Sequence, residues 1–229
     1  MSLFITFEGP DGSGKSTQIN LVTAHLERLG YEVLCTREPG GTAIGDQIRQ
    51  VLHDVKNTEM SARAEILLYS ASRAQLVEQV ILPHLAQGGV VLCDRYADST
   101  YAYQGYGRRL DFETLRLITN FATQRLKPDL TIYLDVAVEE GLRRKAAANV
   151  SGQGEWNRMD QLELEFHQRV RAGYLEMAQQ EPGRWLIVDA SAPVEEINAI
   201  ICERLEQVLS VASSQRSVVS NQKSEVRGQ

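Results

Sequence analysis

The segment Gly9–Thr17, with the sequence GPDGSGKST, has the residue types and spacing of a phosphate-binding loop. It fits the pattern G-x-x-x-x-G-K-[ST], in which Lys15 supplies charge for the outer phosphates and the Ser16 hydroxyl can ligate Mg²⁺. Glycines let the backbone curl its N–H groups around an anion, and a following helix adds the positive end of its dipole. The predicted ATP-binding residues are Gly9, Pro10, Asp11, Gly12, Ser13, Gly14, Lys15, Ser16 and Thr17.

A second polar pair follows a buried strand, because Asp94 and Arg95 come directly after the apolar run Val90–Cys93. In phosphate-loop enzymes a carboxylate at the end of a neighbouring strand supports the Mg²⁺ that bridges the β- and γ-phosphates. Ser16 and Asp94 are therefore the candidate metal ligands. The pattern also allows Asp94 to cap a helix or to lie in a loop. Arg95 can neutralise phosphate charge through its planar guanidinium group.

Tyr69 and Arg73 are candidates for recognition of a second, anionic substrate. They are four residues apart in a helical pattern and so share one face. A ring with a guanidinium beside it can bind a nucleobase by its face and its carbonyl edge. The spacing equally allows a core or interface tyrosine beside a solvated arginine. The Asn-Lys-x-Asp motif typical of switch-type GTPases does not occur in the sequence.

These residues lie among short apolar runs that alternate with longer helical patterns. The stripe Leu162, Phe166, Val170, Tyr174 and Met177 has helical spacing and predicts a face directed to the core. Alternating strands and helices predict a parallel sheet with helices on both faces. The predicted strands are Leu3–Phe7, Glu32–Cys35, Val90–Cys93, Leu130–Leu134 and Trp185–Val188.

Composition excludes several classes of protein. The net charge of −6 and the absence of a basic stripe argue against nucleic-acid binding. No apolar run approaches the ~20 residues that span a bilayer, and no secretory signal is evident at the N-terminus. Cys35 and Cys93 lie in apolar runs, which predicts buried free thiols and a cytoplasmic location.

One domain over residues 1–210 accounts for the patterned part of the chain. The polar segment NVSGQG at 149–154 predicts a mobile loop between two helices. Residues 211–229 are rich in serine and lack sustained periodicity, which predicts a disordered C-terminal tail.

Five motifs together make the chain resemble bacterial thymidylate kinases, of the nucleoside-monophosphate kinase group. They are FEGPDGSGKST, REPGGT, YSASRAQL, DRYADSTYAYQGYGR and NRMDQLELEFHQRVRAGYLEMA, and the resemblance covers residues 2–210. It implies an α/β P-loop kinase fold with a five-stranded parallel sheet and a small lid at about 143–158. It also implies transfer of a phosphoryl group from ATP–Mg²⁺ to dTMP by a homodimer whose interface includes the 69–83 region.

The resemblance also implies a role for each residue that matches a family motif. Tyr69 takes the place of a ring that stacks on thymine and is more often phenylalanine, and Arg73 meets a thymine carbonyl. Tyr103 crowds the 2′ position of the sugar, and Arg49 and Arg95 hold the acceptor phosphate. The implied dTMP-binding residues are Asp11, Glu38, Pro39, Arg49, Tyr69, Arg73, Arg95, Ser99, Tyr103 and Gln104.

The phosphate loop carries Gly12 where some relatives have an arginine, so another cation must meet the charge on the transferred phosphoryl group. The basic residues near the predicted lid are Arg143, Arg144, Lys145 and Arg158. A run of charges is usually a solvated helix face, but the resemblance favours Arg158 in a closing lid. The implied catalytic residues are Lys15, Arg95 and Arg158. The alternatives are a kinase for another nucleoside monophosphate and a non-catalytic ATP-binding switch.

Overall fold

A five-stranded parallel sheet forms the centre of the molecule. The computed structural model describes residues 2–152 and 157–226, with side chains through residue 210. The strand order is β2-β3-β1-β4-β5, and every neighbouring pair is parallel. All five predicted strands are confirmed, as β1 (Leu3–Glu8), β2 (Val33–Arg37), β3 (Val90–Asp94), β4 (Leu130–Asp135) and β5 (Trp185–Asp189).

Helices connect the strands and cover both faces of the sheet. Two π-helical segments, Val77–Ile81 and Tyr101–Gly107, and a 3₁₀ turn, Arg158–Gln161, join neighbouring helices. The helices are α1 (Lys15–Arg28), α2 (Ala43–His53), α3 (Ala62–Leu76), α4 (Leu82–Ala86), α5 (Ala97–Thr100), α6 (Phe112–Ala122), α7 (Val138–Val150), α8 (Leu164–Gln180) and α9 (Val194–Val226).

Alternation along β1 divides the core between the two faces of the sheet. Ile5 and Phe7 pack with α1 and α9, whereas Phe4 packs on the opposite face with Leu76 and Tyr96. On that second face the stripe predicted for α8 is confirmed as core. Phe166, Val170 and Tyr174 of the stripe are buried, and Leu162 and Met177 pack against them. Complete burial of an apolar side chain such as Phe166 or Val170 stabilises the fold by ~1.5–3 kcal/mol.

The strand register brings polar residues together at one edge of the sheet. Phe7 of β1 lies opposite Asp94 of β3, so Glu8 and the Asp94–Arg95 pair meet at the carboxyl ends of adjacent strands. Strand order reverses beside β1, and the crevice at such a position is where open α/β sheets bind ligands.

Two expectations differ from the structure. Cys35 is exposed rather than buried, because β2 is an edge strand, while Cys93 is buried as predicted. In place of the predicted disordered tail, the backbone continues as α9 to Val226, and no glycine or proline interrupts 211–226. Residues 153 and 154 of the predicted loop, and residues 227–229, lie outside the described residues. Within the described ranges no helix is long and apolar enough to cross a membrane.

Candidate active site

The loop between β1 and α1 has the conformation that its glycines permit. Gly9, Gly12 and Gly14 have φ values of 139°, 81° and 93°, in the region that side chains rarely occupy. A Cβ on Gly12 would lie 2.7 Å from the carbonyl oxygen of Gly141, so the loop touches α7 directly. Lys15 begins α1 and donates to the carbonyl oxygens of Gly9 and Pro10, both at 3.1 Å.

One cavity of about 550 Å³ joins this loop to most of the other predicted residues. All the candidates line it except Gly9, Ser13 and Arg158. The cavity runs along the carboxyl ends of β1 and β3, between α3 on one side and α7 on the other. The predicted lining residues are Pro10, Asp11, Gly12, Gly14, Lys15, Ser16, Thr17, Glu38, Pro39, Arg49, Tyr69, Arg73, Asp94, Arg95, Ser99, Tyr103 and Gln104.

Three cations converge on Asp11 in the middle of the cavity wall. Its Oδ1 accepts from Arg95 Nη2 at 2.6 Å and lies 3.7 Å from Lys15 Nζ. Its Oδ2 accepts from Lys145 Nζ. Desolvation opposes ionisation, but the three cations outweigh it and hold the pKa of the Asp11 carboxyl well below its usual range. Asp11 therefore keeps a set of positive charges together where phosphate groups would meet.

Arg95 is placed by the backbone as well as by its charge. Its φ of 69° is left-handed, and its N–H donates to Phe7 O at 2.9 Å. The guanidinium carbon lies 5.4 Å from the centroid of the Tyr103 ring, within cation–π range. The left-handed turn thus directs Arg95 back over the phosphate loop, between the two halves of the cavity.

The residues proposed for Mg²⁺ fit that ion. Asp94 Oδ1 is buried without a hydrogen-bond partner in the described structure, 4.0 Å from Lys15 Nζ, and it lines the cavity with Ser16. A buried, unsatisfied carboxylate oxygen is the donor that a hard cation prefers. No group of three or more His, Cys, Asp or Glu side chains within the described ranges could hold a metal. A Mg²⁺ ion bound here would therefore take its remaining ligands from the nucleotide phosphates and from water.

The wall of the cavity predicted to bind the acceptor contains a buried ion pair. Arg73 Nε donates to Glu38 Oε2 at 2.8 Å, and its other nitrogens donate to Thr100 Oγ1 and Tyr96 O at 2.8 and 3.0 Å. Arg73 is 1% exposed, so the alternative of a solvated arginine is wrong. Tyr69 is half-buried and lines the same wall of the cavity. The shared face of α3 is thus the face that meets the cavity.

Glu8 holds together residues behind the predicted acceptor wall, a role that the sequence analysis missed. Its Oε1 accepts from the Tyr96 N–H at 2.9 Å, and its Oε2 accepts from Ser99 Oγ at 2.6 Å and Tyr174 OH at 2.7 Å. Burial is the main cause that raises the pKa of Glu8 to about 7, with the charge of Asp98 adding to it. The sequence signal that could have predicted this role is the position of Glu8 at the end of an apolar strand.

Arg158, which the resemblance places in a closing lid, pairs with a buried carboxylate in this structure. Its Nη2 donates to Glu65 Oε2 at 2.6 Å and its Nε to Leu52 O at 3.2 Å. Glu65 is fully buried and also accepts from Arg108 and Gln104. A buried carboxylate pairs with nearby cations, because an unpaired charge in the interior of a protein is costly in free energy. Arg158 therefore stabilises the wall that carries Gln104 and does not line the cavity.

The remaining basic residues near the predicted lid lie on α7 and point in different directions. Arg143 is 69% exposed and pairs with Glu140. Arg144 donates to Glu140 Oε1 at 2.6 Å and to Ala190 O at 2.9 Å. Lys145 is buried, lines the cavity, and bonds to Asp160 Oδ2 at 2.6 Å as well as to Asp11.

Asn157 stands where the resemblance implies that aspartate is more common, and it has the hydrogen bonds of a helix cap. Its side-chain oxygen accepts from the Met159 N–H at 2.8 Å, and its own N–H donates to Asp160 Oδ2 at 2.8 Å. Because asparagine and aspartate cap equally well, the departure leaves the 3₁₀ turn intact and Asp160 fixed beside Lys145.

Comparisons with known proteins agree with this geometry. A family model described as thymidylate kinase matches residues 7–201. A thymidylate kinase of Roseiflexus sp. (strain RS-1) is 54% identical over 91% of this chain and 100% of its own length. One from Geotalea daltonii is 52% identical over 88% and 95%. The crystal structure of thymidylate kinase from Ehrlichia chaffeensis has a TM-score of 0.71 at 31% identity and covers 89% of this chain and 98% of its own. The chain belongs to the thymidylate kinase family.

Proposed function

We propose that this chain transfers the γ-phosphoryl group of ATP to the phosphate of dTMP, making dTDP for the synthesis of DNA precursors in the cytoplasm. The observation that carries the proposal is the single cavity that joins the phosphate loop to the wall of Tyr69, Arg73 and Gln104. The family membership of the chain supports the same substrates. A switch that only binds ATP has no use for a second nucleotide site.

ATP is proposed to bind with its phosphates on loop residues 9–17. Lys15 supplies charge to the β- and γ-phosphates, and the free N–H groups at the start of α1 face the same anions. Ser16 and Asp94 would hold Mg²⁺, which would supply positive charge against the phosphate oxygens.

dTMP is proposed to bind between Tyr69 and Tyr103, with thymine stacked on Tyr69. Arg73 is held by Glu38, Thr100 and the Tyr96 carbonyl, so its guanidinium is rigid before the base arrives. Preorganisation of this kind raises affinity because less side-chain entropy is lost on binding. Further acceptor-site residues in this proposal are Asp11, Pro39, Arg49, Arg95, Ser99 and Gln104.

The proposed chemistry needs no general base. A phosphomonoester has a second pKa of ~6 and is largely dianionic at neutral pH, so its own oxygen is the nucleophile. The main cost is bringing two anions into line. Lys15 of the phosphate loop and Arg95 after β3 both lie next to Asp11 Oδ1, and together they would offset that repulsion.

A coupled assay of ADP production with dTMP, dUMP, dCMP and AMP tests the proposal. We expect dTMP to be the best acceptor and dUMP to be ~10- to 200-fold poorer in kcat/KM, since one methyl contact is worth ~1–3 kcal/mol. Equal turnover of AMP or dCMP would favour a kinase for another monophosphate. ATP binding without turnover of any monophosphate would favour the non-catalytic switch.

The assembly is proposed to be a homodimer that meets through α2, α3 and α6. These helices pack together, and apolar side chains on them face solvent, with Phe121 88% exposed and Leu117 one turn away. Leu67 of α3, two residues before the predicted 69–83 region, is also exposed. Light scattering should report a dimer for the wild type and a monomer for Phe121→Lys. A wild-type monomer at micromolar concentration would contradict this interface.

A further inference from the structure

We propose that Lys145 is the cation that contacts the transferred phosphoryl group. The inference rests on the proposed phosphoryl transfer and assigns the charge that Gly12 leaves missing from the phosphate loop. It replaces Arg158, which the structure places elsewhere.

The other basic residues near the predicted lid are committed to other partners. Arg143 lies at the surface with Glu140, whereas Arg144 also lines the cavity but bridges Glu140 to the carbonyl of Ala190. Arg158 is 5% exposed and is held by the buried carboxylate of Glu65. Moving Arg158 into the cavity would leave Leu52 O and part of the Glu65 charge without their partner.

Lys145 already lies where donor and acceptor phosphates would meet. It shares Asp11 with Lys15, which belongs to the donor loop, and with Arg95, which belongs to the acceptor side. The Lys145 side chain is 7% exposed and lines the cavity, so its charge is screened by little water. In such surroundings an ammonium group stabilises developing negative charge far better than at the surface.

The Lys145 ammonium group keeps one donor for substrate. An ammonium group has three N–H donors, and the described contacts of Lys145 use two of them, on Asp11 and Asp160. The third can meet an oxygen of the phosphoryl group without breaking either ion pair. Asp160 is itself fixed by the Asn157 N–H, so the lysine is aimed before substrate binds.

The step that Lys145 would assist is a single displacement at phosphorus. An oxygen of the dTMP phosphate forms a bond to the γ-phosphorus as the bond to the β,γ-bridging oxygen breaks. The electron pair of that bond stays on ADP. Lys145 donates a hydrogen bond to an equatorial oxygen throughout and transfers no proton.

Kinetics and binding of Lys145→Met and Lys145→Arg test the assignment, with Lys127→Met as the control, an exposed lysine paired with Glu181. We expect Lys145→Met to lower kcat by ~10²–10³-fold, as loss of one preorganised donor does, while the dTMP dissociation constant changes less than about threefold. Lys145→Arg should recover part of kcat, because it restores the charge but not the compact geometry. Lys127→Met should match the wild type.

Affinity for ADP with aluminium fluoride and dTMP, a mimic of the transferred phosphoryl group, separates this proposal from the proposed function. Lys145→Met should weaken this complex as much as it lowers kcat. A different outcome is that the wild type forms the ADP–aluminium fluoride complex with another monophosphate and fails to turn over dTMP. In that case the assignment of dTMP as the acceptor is wrong, and the complex with the other monophosphate still tests the role of Lys145. A Lys145→Met enzyme with normal kcat and normal affinity for the mimic would overturn the assignment. So would equal losses in kcat and in dTMP affinity.

Discussion

The buried carboxyl of Glu8 should make the stability of the protein depend on pH in a defined window. Burial raises its pKa from an ordinary value of 4.5 to about 7. Between these two values the folded protein keeps a proton on Glu8 that the unfolded chain has lost. Stability is therefore fully present below pH 4.5 and falls as pH rises towards 7. At 1.36 kcal/mol for each tenfold change in acidity, the loss is about 3 kcal/mol.

Glu8→Gln removes this titration while preserving the shape of the side chain. The amide oxygen can still accept from the Tyr96 N–H, and its NH₂ group can donate to Ser99 or Tyr174, whose hydroxyls can rotate. The free energy of unfolding of Glu8→Gln minus that of the wild type should then rise by about 3 kcal/mol from pH 4.5 to pH 8. Urea unfolding followed by circular dichroism at half-unit steps of pH measures both curves.

Several neighbours carry charge or titrate, so the difference between the two curves matters more than either curve alone. Arg95 and Asp98 act directly on Glu8, and Lys15 and Tyr174 also face it. Glu203→Gln, at an exposed carboxylate on α9, is the matched control and should run parallel to the wild type. Parallel curves for Glu8→Gln and the wild type would refute the reasoning, because Glu8 would then titrate alike in the folded and unfolded chain.

Three further outcomes follow from the site and the chain terminus. Lys15→Ala should abolish phosphoryl transfer yet melt within a few degrees of the wild type, since Lys15 faces the cavity; near-normal turnover would sink the phosphate-loop assignment. Arg158→Ala should raise the KM for dTMP more than it lowers kcat, and it should destabilise the fold by several kcal/mol, because Glu65 loses a buried partner. Steady-state kinetics measures the first effect and calorimetry the second. A decrease in kcat alone would support the lid role of Arg158. Deletion of residues 213–229 should leave turnover and melting temperature nearly unchanged, and a large fall in melting temperature would show that this end of α9 docks.

Local signals were enough to predict the sheet and the phosphate-loop side of the cavity, and together with the family resemblance they gave half of the residues that line it. Each strand is an apolar run bounded by polar residues, and each substrate half has a contiguous motif such as the loop at 9–17 or the Tyr69–Arg73 spacing. Carboxyl ends of parallel strands meet at one edge, so residues that follow β1 and β3 had to come together there. Such inferences need only short-range pattern and sheet geometry.

Long-range pairing was beyond the sequence. The sequence around Glu65 does not predict that it is buried and accepts a hydrogen bond from Arg158, 93 positions away. Glu65 lies in a helix whose sequence has the pattern of an ordinary amphipathic segment. There was equally little sign in the sequence of which cation on α7 contacts Asp11. Consecutive helical residues point about 100° apart, so Arg143, Arg144 and Lys145 differ only in the rotation of α7. That rotation depends on packing against the phosphate loop.

The close contact between Gly12 and α7 limits how the active site can vary. A side chain at position 12 would meet Gly141 O at 2.7 Å and Lys145 N at 3.1 Å, so an arginine there would have to push α7 outwards. The same movement would withdraw the Lys145 ammonium group from the cavity. A loop arginine and an inward lysine on α7 are therefore competing solutions. Gly12→Arg and Lys145→Met should therefore show strong epistasis when the two substitutions are made singly and together.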